Sequence, residues 1–399
     1  MLYPARVADQ LQNNLERFRA FADEERAIFR SFNQVLIDLE KMPRDEIERR
    51  LADARPAGAV PGEEWADETN LVLSAGIQFS HHREAREWAL ERLRGVRTLA
   101  VDGSEIKPTK DYSLPVAAVQ IAWFENPHDA TQRYIKDVAF QIIHPVELTQ
   151  EGGDGFGVAD QMLALRRFRG EVDVLIKRIR DIATNGWVGP TPVAFFDGSL
   201  VVSFAAAMLE RIGSQYIGAI SELMDVSEAT RVPIVGFIDT SMARDVSTML
   251  AHLGGLPSAN RLADSRLLDS RMNWGDRTRA LVCARDDVLQ RYHGAAGRSL
   301  EREICMTYLK TNQFAPPARL DVPRWVVRAG LLEHVVDVVR AEVIVGNGYP
   351  YSVESADACA VLDTGDRERF YRLIQDFASH NGIDLRIVPK AASKRRRRI

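Results

Sequence analysis

Two short segments of this chain carry an apolar run into the same three residues. Residues 97–106 read RTLAVDGSEI and residues 193–200 read VAFFDGSL, so Asp102 and Asp197 each follow a strand-like stretch and precede Gly-Ser. A carboxylate at a strand end is a hard, oxygen-only donor of the kind that holds magnesium or manganese. Glycine beside it lets the backbone turn tightly and a ligand come close. A lone Asp-Gly has an ordinary explanation as a turn dipeptide whose side chain satisfies local backbone groups. Two copies at neighbouring strands favour one shared site instead, with Ser104 and Ser199 as adjacent candidates.

Three further acids have positions that call for a reason. Glu171 lies in a segment where Ala164, Phe168, Val172, Leu175 and Ile179 recur at helical spacing. Helical geometry puts it on or beside that apolar stripe. A carboxylate there is costly, so it needs a metal or a basic partner such as Arg167 or Arg178. Asp160 and Asp173 lie off the stripe and read as solvated acids. Near the C-terminus, IVGNGYPYSVESAD places Gly346, Gly348 and Pro350 in a turn, followed by a helix that Ser352 can cap. Asp357, in the first turns of that helix, is either a ligand or an acid stabilised by the positive helix end. Asp239, ending VPIVGFID, is its rival, and Tyr349 is a neighbouring candidate.

Composition sets the frame for these residues. A chain of 399 residues, 46% hydrophobic and 27% charged, suits one large globular domain with additions, or two domains. The formal net charge of -4 announces no global positive field, although a local basic channel is compatible with it. No apolar run reaches membrane-spanning length and the N-terminus lacks the pattern of a secretory leader, so a cytoplasmic protein with no membrane association is expected. The three cysteines, Cys283, Cys305 and Cys359, form no CxxC pair, which argues against a zinc knuckle or a disulfide scaffold. Neither HExxH nor a P-loop is present, and EGGDGFG (151–157) lacks the phosphate-binding lysine, so the chain is not expected to power translocation itself.

The elements that must position the acids can be read in outline. Residues 5–55 show helical periodicity, PAGAVPGEE (56–64) breaks it, and a second helix is expected over about 71–93. The expected organisation is an N-terminal helical module at 1–95, a main domain at 96–390 and a basic tail at 391–399. From Thr98 three strand-like runs follow, at 98–104, 114–124 and 134–143, as in an antiparallel meander. A long amphipathic helix over 159–182, a strand ending at Asp197, a helix over 202–230, a strand over 232–239 and a helix over 241–253 complete the alternation. That order suits an α/β mixed sheet flanked by helices, and it resembles the ribonuclease H-like fold.

Taken together, VDGS, FFDGSL, the helix with Arg-Arg-x-x-x-Glu between them, VGFID and GYPYSVESAD resemble the NurA nuclease domain over about residues 96–375. The resemblance implies a metal-dependent DNA nuclease with single-strand endonuclease and 5′-to-3′ exonuclease activity. It also implies a homodimer and a HerA-type hexameric ATPase as partner in DNA end processing, repair or defence against foreign DNA. The implied metal residues are Asp102, Glu171, Asp197 and Asp357, holding two manganese or magnesium ions. Asp357 departs from archaeal members, which carry a histidine after their GYP segment. Two ions would stabilise both the attacking and the leaving oxygen of phosphodiester hydrolysis. Arg166, Arg167 and Arg169 are the expected backbone-guiding residues, with the Lys394–Arg398 tail as a further basic element. Two other functions stay open: an inactive ribonuclease H-like scaffold, and an RNA-directed nuclease of the same fold.

Overall fold

The computed structural model describes residues 2–65, 70–109, 111–150, 156–257 and 262–386. The chain divides into two compact units. One comprises residues 1–78, 238–290 and 301–330, the other residues 79–237, 291–300 and 331–399.

The unit that contains the candidate acids is built on five strands: β1 (Thr98–Ile106), β2 (Ala117–Asn126), β3 (Ile135–Ile143), β4 (Val193–Asp197) and β5 (Ile234–Ile238). Their order across the sheet is β5-β4-β1-β2-β3. β1 pairs antiparallel with β2, β2 antiparallel with β3, and β1, β4 and β5 run parallel. This is the expected ribonuclease H-like mixed sheet. β4 buries Val193, Ala194, Phe195 and Phe196 on both faces, which a central parallel strand requires. β3, at the rim, is exposed along Ile135–Ile142 and leaves Val138, Phe140 and Ile142 in solvent.

Six helices frame that sheet: α1 (His82–Leu93), α2 (Phe156–Asn185), α3 (Glu210–Thr230), α4 (Leu332–Val345), α5 (Tyr351–Ala360) and α6 (Thr364–His380). α2 lays Val172, Leu175, Ile176, Ile179 and Ile182 onto one face of β1 and β2. It is pinned there by Arg178, whose Nη2 donates to buried Glu125 of β2 at 2.5 Å, while Arg97 pairs with the same carboxylate. α5 covers the opposite face of β1 and β2. The turn before it needs glycine, because a Cβ on Gly346 would lie 2.0 Å from the Tyr349 carbonyl oxygen, and Gly348 has φ +120°. α6 starts on a capping box in which Asp363 accepts from the Asp366 N–H and Asp366 accepts from the Asp363 N–H.

The other unit includes helices Pro4–Asn13, Leu15–Leu39, Arg44–Leu51 and Asp245–Gly254. Its antiparallel strands run in the order Gly58–Pro61, Leu281–Ala284, Ile304–Leu309, Ala318–Pro323. Val72–Leu73 forms a short strand and the helix expected over 71–93 starts only at His82. There His81 Nδ1 accepts from the Glu84 N–H, and the backbone N–H of Ser80 donates to Glu84. Likewise PAGAVPGEE does more than end a helix, since it contains the strand Gly58–Pro61.

Candidate active site

Asp102 does not stand at a strand tip. β1 continues to Ile106, and Asp102 sits where pairing with β4 stops at Val101↔Phe196 while pairing with β2 continues at Asp102↔Ala122. The carboxylate therefore emerges in the notch beyond the end of β4, where the next acid, Asp197, ends its own strand. The two Asp-Gly steps consequently use glycine differently. Gly198 has φ +144°, a conformation that turns the chain out of β4. Gly103 provides clearance instead: a Cβ there would lie 2.6 Å from Glu171 Oε1, 2.9 Å from Arg167 Cγ and 2.9 Å from Ile121 Cδ1. Gly170 serves the same approach, since its Cβ would come 3.0 Å from Ile121 Cγ1. α2 can thus press against β1 closely enough for Glu171 to reach past Gly103.

Strand alternation sorts the remaining groups by face. Gly103 and Glu105 face α2, whereas Thr98 and Asp102 face α5, where Thr98 Oγ1 meets Ser352 Oγ at 2.8 Å. Asp357, exposed on α5, raises the proton affinity of both Asp102 and Asp197 through its charge. Tyr349, just before α5, donates its hydroxyl to Asp197 Oδ1 at 2.9 Å and stacks edge-on against Phe237.

The four acids act on one another electrostatically. Burial first, then the charge of Asp197, a hydrogen bond with Asp357 and the charge of Asp357, push the Asp102 carboxyl up to about 6, against a hydrogen bond from the Gly103 backbone. Glu171 is pushed up to about 7, mainly by burial and further by Asp102 and Asp197, with Arg167 opposing. Solvent reaches Asp197, yet the protein packed around it and the Asp357 charge raise its carboxyl, while the Tyr349 hydrogen bond lowers it. The structure thus brings Asp102, Glu171, Asp197 and Asp357 into one neighbourhood.

The three arginines separate. Arg167 Nη1 donates to Glu171 Oε1 at 2.8 Å and to the Gly103 carbonyl at 3.3 Å, so it stands inside the cluster. Arg166 pairs with Glu147 at 3.2 Å, and Arg169 with Asp173 at 2.8 Å and Glu222 at 2.6 Å. Ser104 is half-buried on β1, and Ser199 Oγ accepts from the Val201 N–H in the turn after β4. Asp239 belongs to the other unit and accepts from Thr240 Oγ1 at 3.5 Å. The tail at Lys394–Arg398 lies outside the described residues, as do residues 151–155 of the EGGDGFG segment.

Two residues near the acids went unmarked in the sequence reading. Glu105 Oε2 is buried without a hydrogen bond, 3.6 Å from Arg167 Nε. Its signal was available, since it lies two residues beyond Gly103 and so on the same strand face. Tyr216 of α3 packs on Phe168 at 4.7 Å between ring centroids. Burial, followed by the charges of Glu171 and Glu105, pushes its hydroxyl up to about 12, with Arg167 opposing. Nothing local in its sequence marks it.

Among the described residues, no group of three or more His, Cys, Asp or Glu side chains is already arranged to hold a metal ion. Glu171 is paired with Arg167 instead. The donor set itself fits a hard divalent cation: all oxygen and mutually repelling, with Glu171 drawn close over Gly103 and Glu105 Oε2 nearby without a hydrogen bond. Asp102, Glu171, Asp197 and Asp357 could hold such an ion once Glu171 turns from Arg167.

A sheet in this order, with acids drawn from β1, β4, α2 and α5, is the architecture of a ribonuclease H-like nuclease. The NurA domain model matches residues 96–362, and the chain belongs to that family. No curated protein matches the chain significantly. Similar solved structures include NurA with manganese, at 10% identity, covering 71% of this chain and 89% of that chain with a TM-score of 0.42. NurA bound to dAMP and manganese is 12% identical, covering 91% and 97% respectively with a TM-score of 0.39. The catalytic domain of human endonuclease V is 15% identical, covering 72% and 88% with a TM-score of 0.31.

Proposed function

We propose that this nuclease hydrolyses DNA phosphodiester bonds with divalent metal, manganese or magnesium, held by Asp102, Glu171, Asp197 and Asp357. The carrying observation is the convergence of these carboxyls, with Asp102, Glu171 and Asp197 each raised above the ordinary range by desolvation and like charge. Charges that repel in the free protein favour a cation when one binds. A bound divalent ion supplies Lewis-acid stabilisation of the phosphate oxygens and lowers the proton affinity of water. The chain's own residues do the rest. Tyr349 orients Asp197 through its hydroxyl. Turning Glu171 towards Asp102 would release one of the partners of Arg167, leaving the Gly103 carbonyl and Glu105 to hold a guanidinium whose planar fork suits a phosphate of the DNA backbone.

Family membership supports a finer reading. It comprises a two-ion site in the 96–390 segment, single-strand endonuclease and 5′-to-3′ exonuclease action, a homodimer, and a HerA-type hexameric ATPase partner in a cytoplasmic repair or defence role. The test is digestion of linear single- and double-stranded DNA with manganese, magnesium or chelator, for wild type beside Asp197→Asn. Metal-dependent cutting that falls about 100-fold or more in the variant is the expected result, because several kcal/mol of charge stabilisation goes with the ligand.

One observation favours a second reading, an inactive scaffold: no three acids are pre-arranged around a metal position among the described residues. That reading predicts no heat of manganese binding in calorimetry and no cutting in any metal.

A further inference from the structure

Asp357 must be held close to acids that repel it, yet α5 has no cap of its own. Its N-cap residue is Pro350, which offers no side-chain acceptor. The acceptor comes from α4: Glu342 takes the Ser352 backbone N–H at 2.7 Å and the Ser352 hydroxyl at 2.8 Å. Glu342 is fully buried, and a carboxylate in that position is costly unless hydrogen-bonded. A serine or aspartate at the cap position would satisfy the helix end at far lower desolvation cost. What Glu342 adds is geometry, since it fixes both the backbone and the side chain of Ser352.

Having donated to Glu342, the Ser352 hydroxyl is left to accept from Thr98 Oγ1, 2.8 Å away and fully buried. Thr98 lies on β1 four residues before Asp102 and on the same face. Asp357 lies on α5 five residues after Ser352. At the far end of α5, Gln120 Nε2 of β2 donates to the carbonyls of Cys359 and Ala360 at 3.4 and 3.2 Å. The helix is therefore tied to the sheet at both ends, with the repelling pair between the ties.

We propose that Glu342, Ser352 and Thr98 form a latch that sets Asp357 against Asp102, making all three positioning residues for the metal site. This rests on the metal-dependent reading above. The latch would not touch the ion; it fixes where α5 carries Asp357 relative to Asp102.

Calorimetric titration of manganese into the full chain tests this, with wild type beside Thr98→Val, Thr98→Ser, Ser352→Ala and Asp357→Asn. Thr98→Val keeps the shape and removes the hydroxyl, whereas Thr98→Ser keeps the hydroxyl. The expected result is about 10- to 100-fold weaker manganese binding for Thr98→Val and Ser352→Ala, near wild-type binding for Thr98→Ser, and cutting by the weak binders restored at raised manganese. Should Ser352→Ala fail to fold, the Thr98 pair decides alone. Wild-type manganese affinity in a folded Thr98→Val, with only a lower melting temperature, would overturn the latch while leaving the nuclease reading standing. No manganese binding by wild type itself would sink the metal reading and the latch with it.

Discussion

Protonation of Asp102 and Glu171 couples the site to pH in a definite direction. Both carboxyls are raised, to about 6 and about 7, so the folded metal-free chain binds these protons more tightly than the unfolded chain. Their contribution to stability is full below the ordinary carboxylate range and is lost as pH rises through 6–7. A metal requires the deprotonated forms, so its affinity runs the other way. Thermal melts at pH 5.5 and pH 8 should show manganese raising the melting temperature more at pH 8, and Glu171→Gln stabilising the metal-free chain at pH 8 relative to wild type. Gly103→Ala places a methyl group 2.6 Å from Glu171 Oε1 and 2.9 Å from buried Ile121. It should cost about 1–3 kcal/mol in denaturant unfolding and weaken manganese binding in calorimetry. Asp102 and Asp197 could be singled out by their strand context, and Glu171 and Asp357 by their positions on helices. The purpose of Gly103 was not legible, since it depends on how closely a helix some seventy positions later approaches. The ion pairs that take Arg166 and Arg169 were equally hidden, because Glu147 and Glu222 meet them only in the folded state.

Among the elements, α2 carries the greatest burden, since its distance from β1 and β2 decides whether Glu171 arrives. Its anchor is Glu125, 1% exposed and shared between Arg97 and Arg178. Arg178→Met should leave that carboxylate half-satisfied and cost about 1–3 kcal/mol by chemical denaturation, with Arg97 limiting the loss. The five strands of the unit that holds the acids, and α2, could be read from periodicity to within a few residues. They are long, strongly patterned and bounded by turn residues. The strands Gly58–Pro61, Val72–Leu73 and those between 277 and 323 went unread. Gly58–Pro61 is four residues long and contains a proline, and its partner Leu281–Ala284 lies more than two hundred positions away. Such a strand is defined by its neighbour rather than by its own pattern.

On the scale of the whole molecule, charge is balanced by internal pairing as well as by solvent. Arg319 is buried between Asp245 and Asp321, and Arg285 donates to the same Asp245. Arg319→Leu should therefore cost about 3–5 kcal/mol in denaturant unfolding, because it strands buried carboxylates without a full counter-charge. The chain passes between the two units at 78/79, 237/238, 290/291, 300/301 and 330/331. This threading bears on how the protein is made. Gly58–Pro61 leaves the ribosome early but cannot pair until Leu281–Ala284 follows, a wait on the order of 10–40 s at ordinary elongation rates. β1 to β5 can meanwhile assemble from one continuous stretch of nascent chain. Neither unit can close early: the one holding the N-terminus waits for residues up to 330, and the one holding the acids waits for α4, α5 and α6 from residues 331–399.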